Sequence, residues 1–431
     1  MDGIEVAIML VSFLALLSIG VPVAWTLGLT ALITLLTSMD GLVAAGTVAQ
    51  RMATGLDSFS LLAIPFFILA GQLMNRGGLA RRLIDFAKAL VGPLPGGLAA
   101  VNVLAAMLFG AIAGSAAAAA SAIGSIMTKR MEDEGYPRPF SAAVNITSAT
   151  TGLTIPPSNV LIVYSLASGG VSIAALFGGG YVPGILTGLL LITAAAVYAK
   201  RKGYPNGDPW KLGEIGRTFL SALPSLLLLV VVIGGIVAGV FTATEASAVA
   251  VLYCLVLAFV YGEIKLPQLP SVFAESVNTT AIVLLLVSTS LALSWVMSYE
   301  NLPQAITAGL LSISDNFVVI LLIINLILLV VGVFMDMTPA VLIFTPIFLP
   351  VVTELGMDPV HFGIMMVLNL CIGLCTPPVG SVLFVGVGVA QIKLTEVLRP
   401  LAPLFVMMLI ALLLVTYLPG LTLWLPELLL D

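Results

Sequence analysis

The sequence predicts an all-α polytopic membrane protein, built as an inverted-topology repeat with two re-entrant hairpins and two broken transmembrane helices. Three observations predict it. The 431 residues are 60% hydrophobic and 9% charged, with a mean hydropathy of +1.19, whereas a soluble domain carries roughly 25% charged residues. Roughly ten stretches reach or approach the ~20 apolar residues that a spanning helix needs. One octet also occurs twice, as GLTIPPSN from Gly152 to Asn159 and as GLCTPPVG from Gly373 to Gly380, 221 residues apart.

The octet dictates the broken helices. Proline lacks a backbone donor and clashes with the preceding turn, so no straight helix runs through either copy. A break at membrane depth leaves backbone N–H and C=O groups unpaired, and lipid cannot satisfy them. Such a break survives only where it is buried in protein or lines a watery cavity. Paired breaks in corresponding positions of two halves point to a transport site.

Loop charges order the remaining elements. Lys and Arg favour the cytoplasmic side. Residues 5–37 are too long for one upright span, and read as one tilted helix or as a pair bent near Gly20-Val21-Pro22. Residues 58–75 span. Residues 76–92 mix Arg76, Arg81, Arg82 and Lys88 with apolar positions and read as an amphipathic helix at the cytoplasmic interface. Basic residues flank 98–128 on both sides, so this stretch reads as a hairpin entered from the cytoplasm, turning near Gly114-Ser115. Residues 139–168 cross outward, broken at the first octet, and 173–199 return. Lys200 to Arg217 is a basic linker between the halves.

In the second half, 219–240, 242–262 and 276–298 are spans. Residues 317–353 form a hairpin entered from outside, interrupted at Met335 to Ala340. Residues 361–389 cross inward, broken at the second octet, and 400–424 form the last span. The organisation is therefore a first repeat over 1–200, a linker over 201–218 and a second repeat over 219–431. Gly114-Ser115 falls opposite Met335-Asp336 and Gly135 opposite Gly356, with the halves in opposite orientations. This pattern belongs to alternating-access secondary transporters.

A broken helix offers two ends. The N-terminal end, with free N–H groups and partial positive charge, holds a carboxylate; the C-terminal end offers carbonyls to a hard cation such as sodium. Asp336, at the second hairpin tip, is the leading side chain for an ion site, because an embedded carboxylate costs at least ~2.5 kcal/mol. Its bland alternative is a helix cap near Thr338. Ser115 is its counterpart at the first tip, or a packing serine. Thr154, Ser158, Asn159, Thr376 and Ser381 are nearby oxygens for ion or substrate; each alone could be an ordinary cap or a back-bond to a helical carbonyl. Thr147, Ser148 and Asn369 lie about one turn before the breaks and are weaker choices. Glu245 reads as a first-turn cap, with an ion-pathway role as the alternative. His361, the sole histidine, reads as an interface residue. Cys254, Cys371 and Cys375 read as small core residues without a disulfide framework.

Composition excludes other classes. No basic patch accompanies aromatic residues, so nucleic acid is not a partner. No nucleotide-binding loop, zinc-protease set or GxSxG motif is present, so no enzyme or cofactor is expected. The N-terminus MDGIEVAIML lacks the basic region of a cleavable signal peptide, so the first apolar segment is expected to be a retained span.

Several motifs in order carry a family resemblance: LLAIPFFILAGQLMNRGG from Leu61 to Gly78, FGAIAGSAAA from Phe109, GLTIPPSN from Gly152, TATEA from Thr242 to Ala246, and CTPPVG from Cys375. Over nearly the whole length the chain resembles the large membrane subunit of TRAP transporters, the DctM type. The resemblance implies a sodium-coupled importer of organic acids or similar solutes in the bacterial inner membrane, working as an elevator. It implies a small four-helix membrane subunit, expected as a separate chain, and a periplasmic substrate-binding protein. Its sodium sites, at hairpin tips and helix breaks, map onto Ser115, Gly152, Pro156, Asp336, Thr338, Gly373 and Pro377. Sialic acid, C4-dicarboxylates, keto acids, ectoine-like solutes and sulfonates are all compatible substrates. The alternatives are a single-component sodium/dicarboxylate-type carrier and, further off, a channel.

Overall fold

A computed structural model describes residues 4–204, 210–314 and 316–430. The described residues form helices without strands. The first half comprises α1 (Ile4–Ser18), α2 (Val23–Leu35), α3 (Gly41–Leu56), α4 (Ala63–Arg76), α5 (Leu79–Val91), α6 (Gly97–Ala113), α7 (Ala116–Asp133), α8 (Arg138–Thr154), α9 (Asn159–Ala167) and α10 (Ile173–Lys202). The second comprises α11 (Leu212–Val237), α12 (Ala243–Val260), α13 (Leu269–Tyr299), α14 (Leu302–Ile313), α15 (Phe317–Phe334), α16 (Met337–Glu354), α17 (Pro359–Leu374), α18 (Ser381–Ala390), α19 (Leu394–Tyr417) and α20 (Gly420–Leu430). Among the described residues, eight segments are long and apolar enough to cross a membrane by length and composition. The protein is a multi-pass membrane protein.

Residues 5–37 resolve into the bent pair. Gly20 takes φ +83° and Pro22 starts the next helix, so α1 folds back on α2. The predicted last span also divides, a difference from the sequence reading. Pro419 disfavours helical geometry at Leu418, so α19 stops at Tyr417 and α20 is a separate short helix. The polar stretch 38–57 is itself mostly helical: Asp40 caps α3 by accepting from the Leu42 amide at 3.1 Å.

The amphipathic reading of 76–92 places α5. Its apolar face buries Leu83, Ile84 and Ala87 completely, against α6 and α11. Its charged face meets the base of the first hairpin, where Asp85 pairs with Arg130 at 3.1 Å and Lys88 with Glu134 at 3.4 Å. Pairs this exposed contribute about 0–1 kcal/mol each, so they set orientation more than stability.

Two broken helices run through the centre. All residues from Phe140 to Thr154 in α8, and from His361 to Leu374 in α17, are buried. α8 buries many hydroxyls, and most satisfy themselves: Thr147, Ser148, Thr150 and Thr151 each donate to a carbonyl three or four residues back. Small polar side chains of this kind let neighbouring backbones approach. The closest approach involves glycines. Gly152 of α8 meets Gly110 of α6, and Gly373 of α17 meets Gly332 of α15; a Cβ on Gly373 would lie 2.5 Å from Gly332 Cα. Each broken helix is thus seated directly on the first arm of its own hairpin, in both halves.

His361 corrects its sequence reading. It is 2% exposed rather than interfacial. Nδ1 lies 2.7 Å from Thr422 Oγ1 and Nε2 lies 3.2 Å from the Thr416 carbonyl. Asn325 of α15 donates to Thr416 Oγ1 at 3.1 Å, and Asn369 donates to Asn325 Oδ1 at 2.7 Å. A buried polar chain therefore ties α15, α17, α19 and α20 together.

The repeat is not perfectly symmetric in packing. α4 rests on α6, the first arm of the first hairpin, while α13, its counterpart, rests on α16, the second arm of the second hairpin. The same shift separates α5 from α14, which pack on α6 and α16 respectively.

Candidate transport site

The two hairpins turn sharply. Gly114 ends α6 with φ +61°, and Ser115 then caps α7, its hydroxyl accepting from the Ala118 amide at 3.2 Å. Positive φ at the turn favours glycine. At the second tip Met335 ends α15 in an extended conformation, and Asp336 occupies the cap position of α16. Asp336 makes no capping hydrogen bond. The residue is exposed, so the plain helix-cap reading does not describe it.

The breaks are likewise paired. α8 ends at Thr154 and α9 starts at Asn159, with a cis Pro156–Pro157 bond between them. α17 ends at Leu374 and α18 starts at Ser381, with a cis Pro377–Pro378 bond. Tips and breaks converge on one cavity of about 400 Å³. The first turns of α7 (Ala116), α9 (Asn159, Val160), α16 (Met337, Thr338) and α18 (Ser381, Val382) all line it. Four helix N-termini therefore aim free N–H groups and partial positive charge at one space. The carbonyl ends of α6, α8 and α17 reach it through Ala113, Leu153 and Leu374. Asp336 is the only ionisable side chain among the lining residues.

The sequence-predicted residues divide into two sets. Ser115, Asp336, Thr338, Asn159 and Ser381 line the cavity. The other seven do not. Gly152 and Gly373 make the backbone contacts described above, and Pro156 and Pro377 shape the breaks. Thr154 is fully buried, with Oγ1 3.9 Å from Cys371 Sγ on α17. Thr376 donates back to the Ile372 carbonyl at 2.7 Å. Ser158 is buried, and its hydroxyl has no hydrogen-bond partner among the described residues. The weaker choices Thr147 and Ser148 are tied up within α8 and Asn369 within the His361 chain, although Asn369 Oδ1 is unpaired among the described residues. Glu245 forms a capping box with Thr242, accepting from the Thr242 amide at 2.8 Å while its own amide donates to Thr242 Oγ1 at 3.2 Å, which is the cap reading. The three cysteines are free and buried.

Sequence reasoning missed the opposite wall. Ile64, Ile68, Gly71, Gln72 and Asn75 of α4 line the cavity with Thr279 and Val283 of α13. The i, i+4, i+7, i+8, i+11 spacing on α4 is a helical stripe. Two amides inside an apolar span were the available signal. Asn75 also lines a second cavity of about 240 Å³, with Gly78, Arg81, Ser125 and Glu263. The space therefore extends toward the end of the molecule that carries the basic residues of α5.

Comparison with known proteins agrees with this architecture. Residues 10–421 match the family described as the tripartite ATP-independent periplasmic transporter, DctM component. The chain belongs to this family. It is 55% identical over 417 residues to the uncharacterized protein YgiK of Salmonella typhimurium, covering 97% of this chain and 96% of the relative. It is 40% identical over 430 residues to the C4-dicarboxylate TRAP transporter large permease protein DctM of Rhodobacter capsulatus, covering 96% and 97%. Among solved structures, the YdaH transporter of Alcanivorax borkumensis superposes with a TM-score of 0.64 at 14% identity, over 90% of each chain. That likeness shows the shared fold. This DctM-type chain is thus a TRAP transporter subunit, and the function of such permeases is transport, not catalysis.

Proposed function

We propose that this chain is the translocating subunit of a sodium-coupled importer of a small organic anion in the bacterial inner membrane. The observation that carries the reading is the convergence of four helix N-termini on one cavity that holds a single carboxylate and no basic side chain among its lining residues. Helix N-termini recognise a substrate carboxylate without arginine. The Asp336 carboxylate and the carbonyl ends of α6, α8 and α17 are oxygen ligands of the kind a hard alkali cation takes.

Sodium binds first in this scheme. It neutralises Asp336 and orders the two tips, and the substrate then occupies the N-termini. The hairpins and broken helices, joined by their glycine contacts, slide as one body against α4 and α13. Two features support an elevator of this kind: the offset packing of α4 on α6 against α13 on α16, and the extension of the cavity toward the basic end of α5. With that end cytoplasmic, the arrangement corresponds to an inward-facing state. The family name and the DctM relative support a small membrane subunit and a periplasmic binding protein as partners.

The test is uptake into proteoliposomes that contain this chain with a small membrane subunit and a periplasmic binding protein. Inward-directed sodium should drive accumulation of the binding protein's ligand, and potassium should not. Equal uptake without sodium sinks the coupling. Full uptake without the binding protein favours the single-component carrier.

A further inference from the structure

The inverted repeat lets one observed state define the walls of the other. The register between halves is fixed by two left-handed caps: Gly78, φ +69°, between α4 and α5, and Asn301, φ +54°, between α13 and α14. They lie 223 residues apart, and Arg76 and Tyr299, the last residues of α4 and α13, have the same separation. At this register the cavity residues of α4 have counterparts on α13: Ile64 corresponds to Val287, Gln72 to Trp295 and Asn75 to Ser298. When the hairpin unit moves to its opposite position, the repeat exchanges the roles of α4 and α13. The outward-facing cavity is then walled by Val287, Trp295 and Ser298.

Trp295 carries a feature that Gln72 lacks. The guanidinium of Arg51, on α3, lies over its ring at 4.4 Å, and Tyr299 stacks beside it at 5.3 Å. Arg51 is exposed. Residues 58–75 span up to the cytoplasmic segment 76–92, which puts α3 on the outer side; of the 16 basic residues, Arg51 alone lies there, and the others fall in segments 76–88, 129–138, 200–217, 265 and 393–399. At the same register α3 falls opposite residues 264–279 and Arg51 opposite Ala274, so this cation has no basic counterpart in the second half. A lone cation placed against the orientation rule, held by an aromatic ring at the register of a cavity residue, is built for an anion.

The geometry points to Arg51, seated on Trp295, as the outer substrate contact: it receives the organic anion in the outward-facing state, before the helix N-termini do. This inference rests on the transport reading above. It gives the chain a cation at the outer entry, where the inner side offers the neutral amides Gln72 and Asn75 and, beyond them, Arg81 together with Glu263.

Charged thiol reagents test it without knowledge of the natural substrate. Ser298→Cys and Val287→Cys are made separately in the full chain with its membrane partner. Intact spheroplasts are treated with two impermeant methanethiosulfonates, anionic sulfonatoethyl and cationic trimethylammonioethyl. The native cysteines are buried, so the unsubstituted chain gives the background. In the Ser298→Cys chain, the ratio of anionic to cationic modification rate should fall about three- to tenfold on adding Arg51→Gln, the effect expected of one nearby charge in partly screened solvent. Arg51→Lys should retain it. Intrinsic reagent differences cancel in this comparison. Val287 is 0% exposed here, so labelling of the Val287→Cys chain from outside reports the exchanged wall. An unchanged ratio overturns the anion role of Arg51, and an unreactive Val287→Cys chain overturns the wall assignment. Neither result depends on sodium. Loss of sodium-driven uptake in the wild type would instead remove the transport reading and leave the ratio intact.

Discussion

The two hairpin tips occupy equivalent places in the fold and differ in chemistry. The first is Gly114-Ser115, whose hydroxyl caps its own helix by accepting the Ala118 amide. The second is Met335-Asp336, whose carboxylate is free and borders the cavity. Around them the frame is duplicated closely, with one glycine contact beneath each broken helix and one Pro-Pro pair in each break. The two halves share what packs and differ in the side chain each tip presents. The difference puts the one lining carboxylate in the second half and leaves the first tip with a neutral hydroxyl and backbone.

The largest expected effect breaks this asymmetry at its charged member. Asp336→Asn should lower sodium-driven uptake about ten- to a hundredfold, the loss of one charged ligand contact, whereas Ser115→Ala should lower it by about tenfold or less. Equal effects would erase the distinction between the tips. Next are the seats of the broken helices. Gly152→Ala and Gly373→Ala should each destabilise by about 1–3 kcal/mol through overpacking, read as a fall in melting temperature in detergent. A silent substitution in one half would show that its contact is looser than its twin.

A third prediction concerns the second half alone. Asn325→Leu removes the hinge of the His361 chain and leaves Asn369 only its bond to the residue 325 main-chain carbonyl, at about 1–3 kcal/mol. No matching chain supports the first hairpin among the described hydrogen bonds, so α8 should be less sensitive to loss of Asn145, which donates only to the Ala120 carbonyl. Gln72→Leu should raise the apparent KM of uptake about two- to tenfold, as for a lost neutral hydrogen bond, with sodium dependence intact. The smallest effect is expected at Glu245→Ala. It unmakes a capping box, so melting temperature should drop slightly while uptake is unchanged; a transport defect there would revive the ion-pathway role.

Much of this arrangement was legible in the chain. Hydropathy located most of the spans, and the repeated octet located the breaks to within a residue or two. Charge also identified Asp336, because a carboxylate in an apolar run needs a reason. Side-chain direction was not legible. Thr154 and Asn159 sit five residues apart in one octet, yet the first faces Cys371 and the second the cavity. A break rotates the chain by an amount that no periodicity predicts. The scaffold wall was missed for a related reason: the cavity stripe on α4 is written mostly in Ile and Gly, residues that also face lipid or protein. His361 was misplaced because its partners, Thr416 and Thr422, lie on two later helices that the hydropathy profile merged into one span.

The glycine contacts set bounds on how this protein can be redesigned. Lining positions such as Ser381, Thr338 and Gln72 border open space, so their side chains can be exchanged to accept a different solute. Gly110, Gly152, Gly332 and Gly373 border backbone. A single methyl there would push a whole arm outward and carry its tip away from the other three helix ends. Under the proposed transport reading, substrate range is open to substitution at the walls, while the spacing of the helix ends is locked by the four glycines beneath the floor.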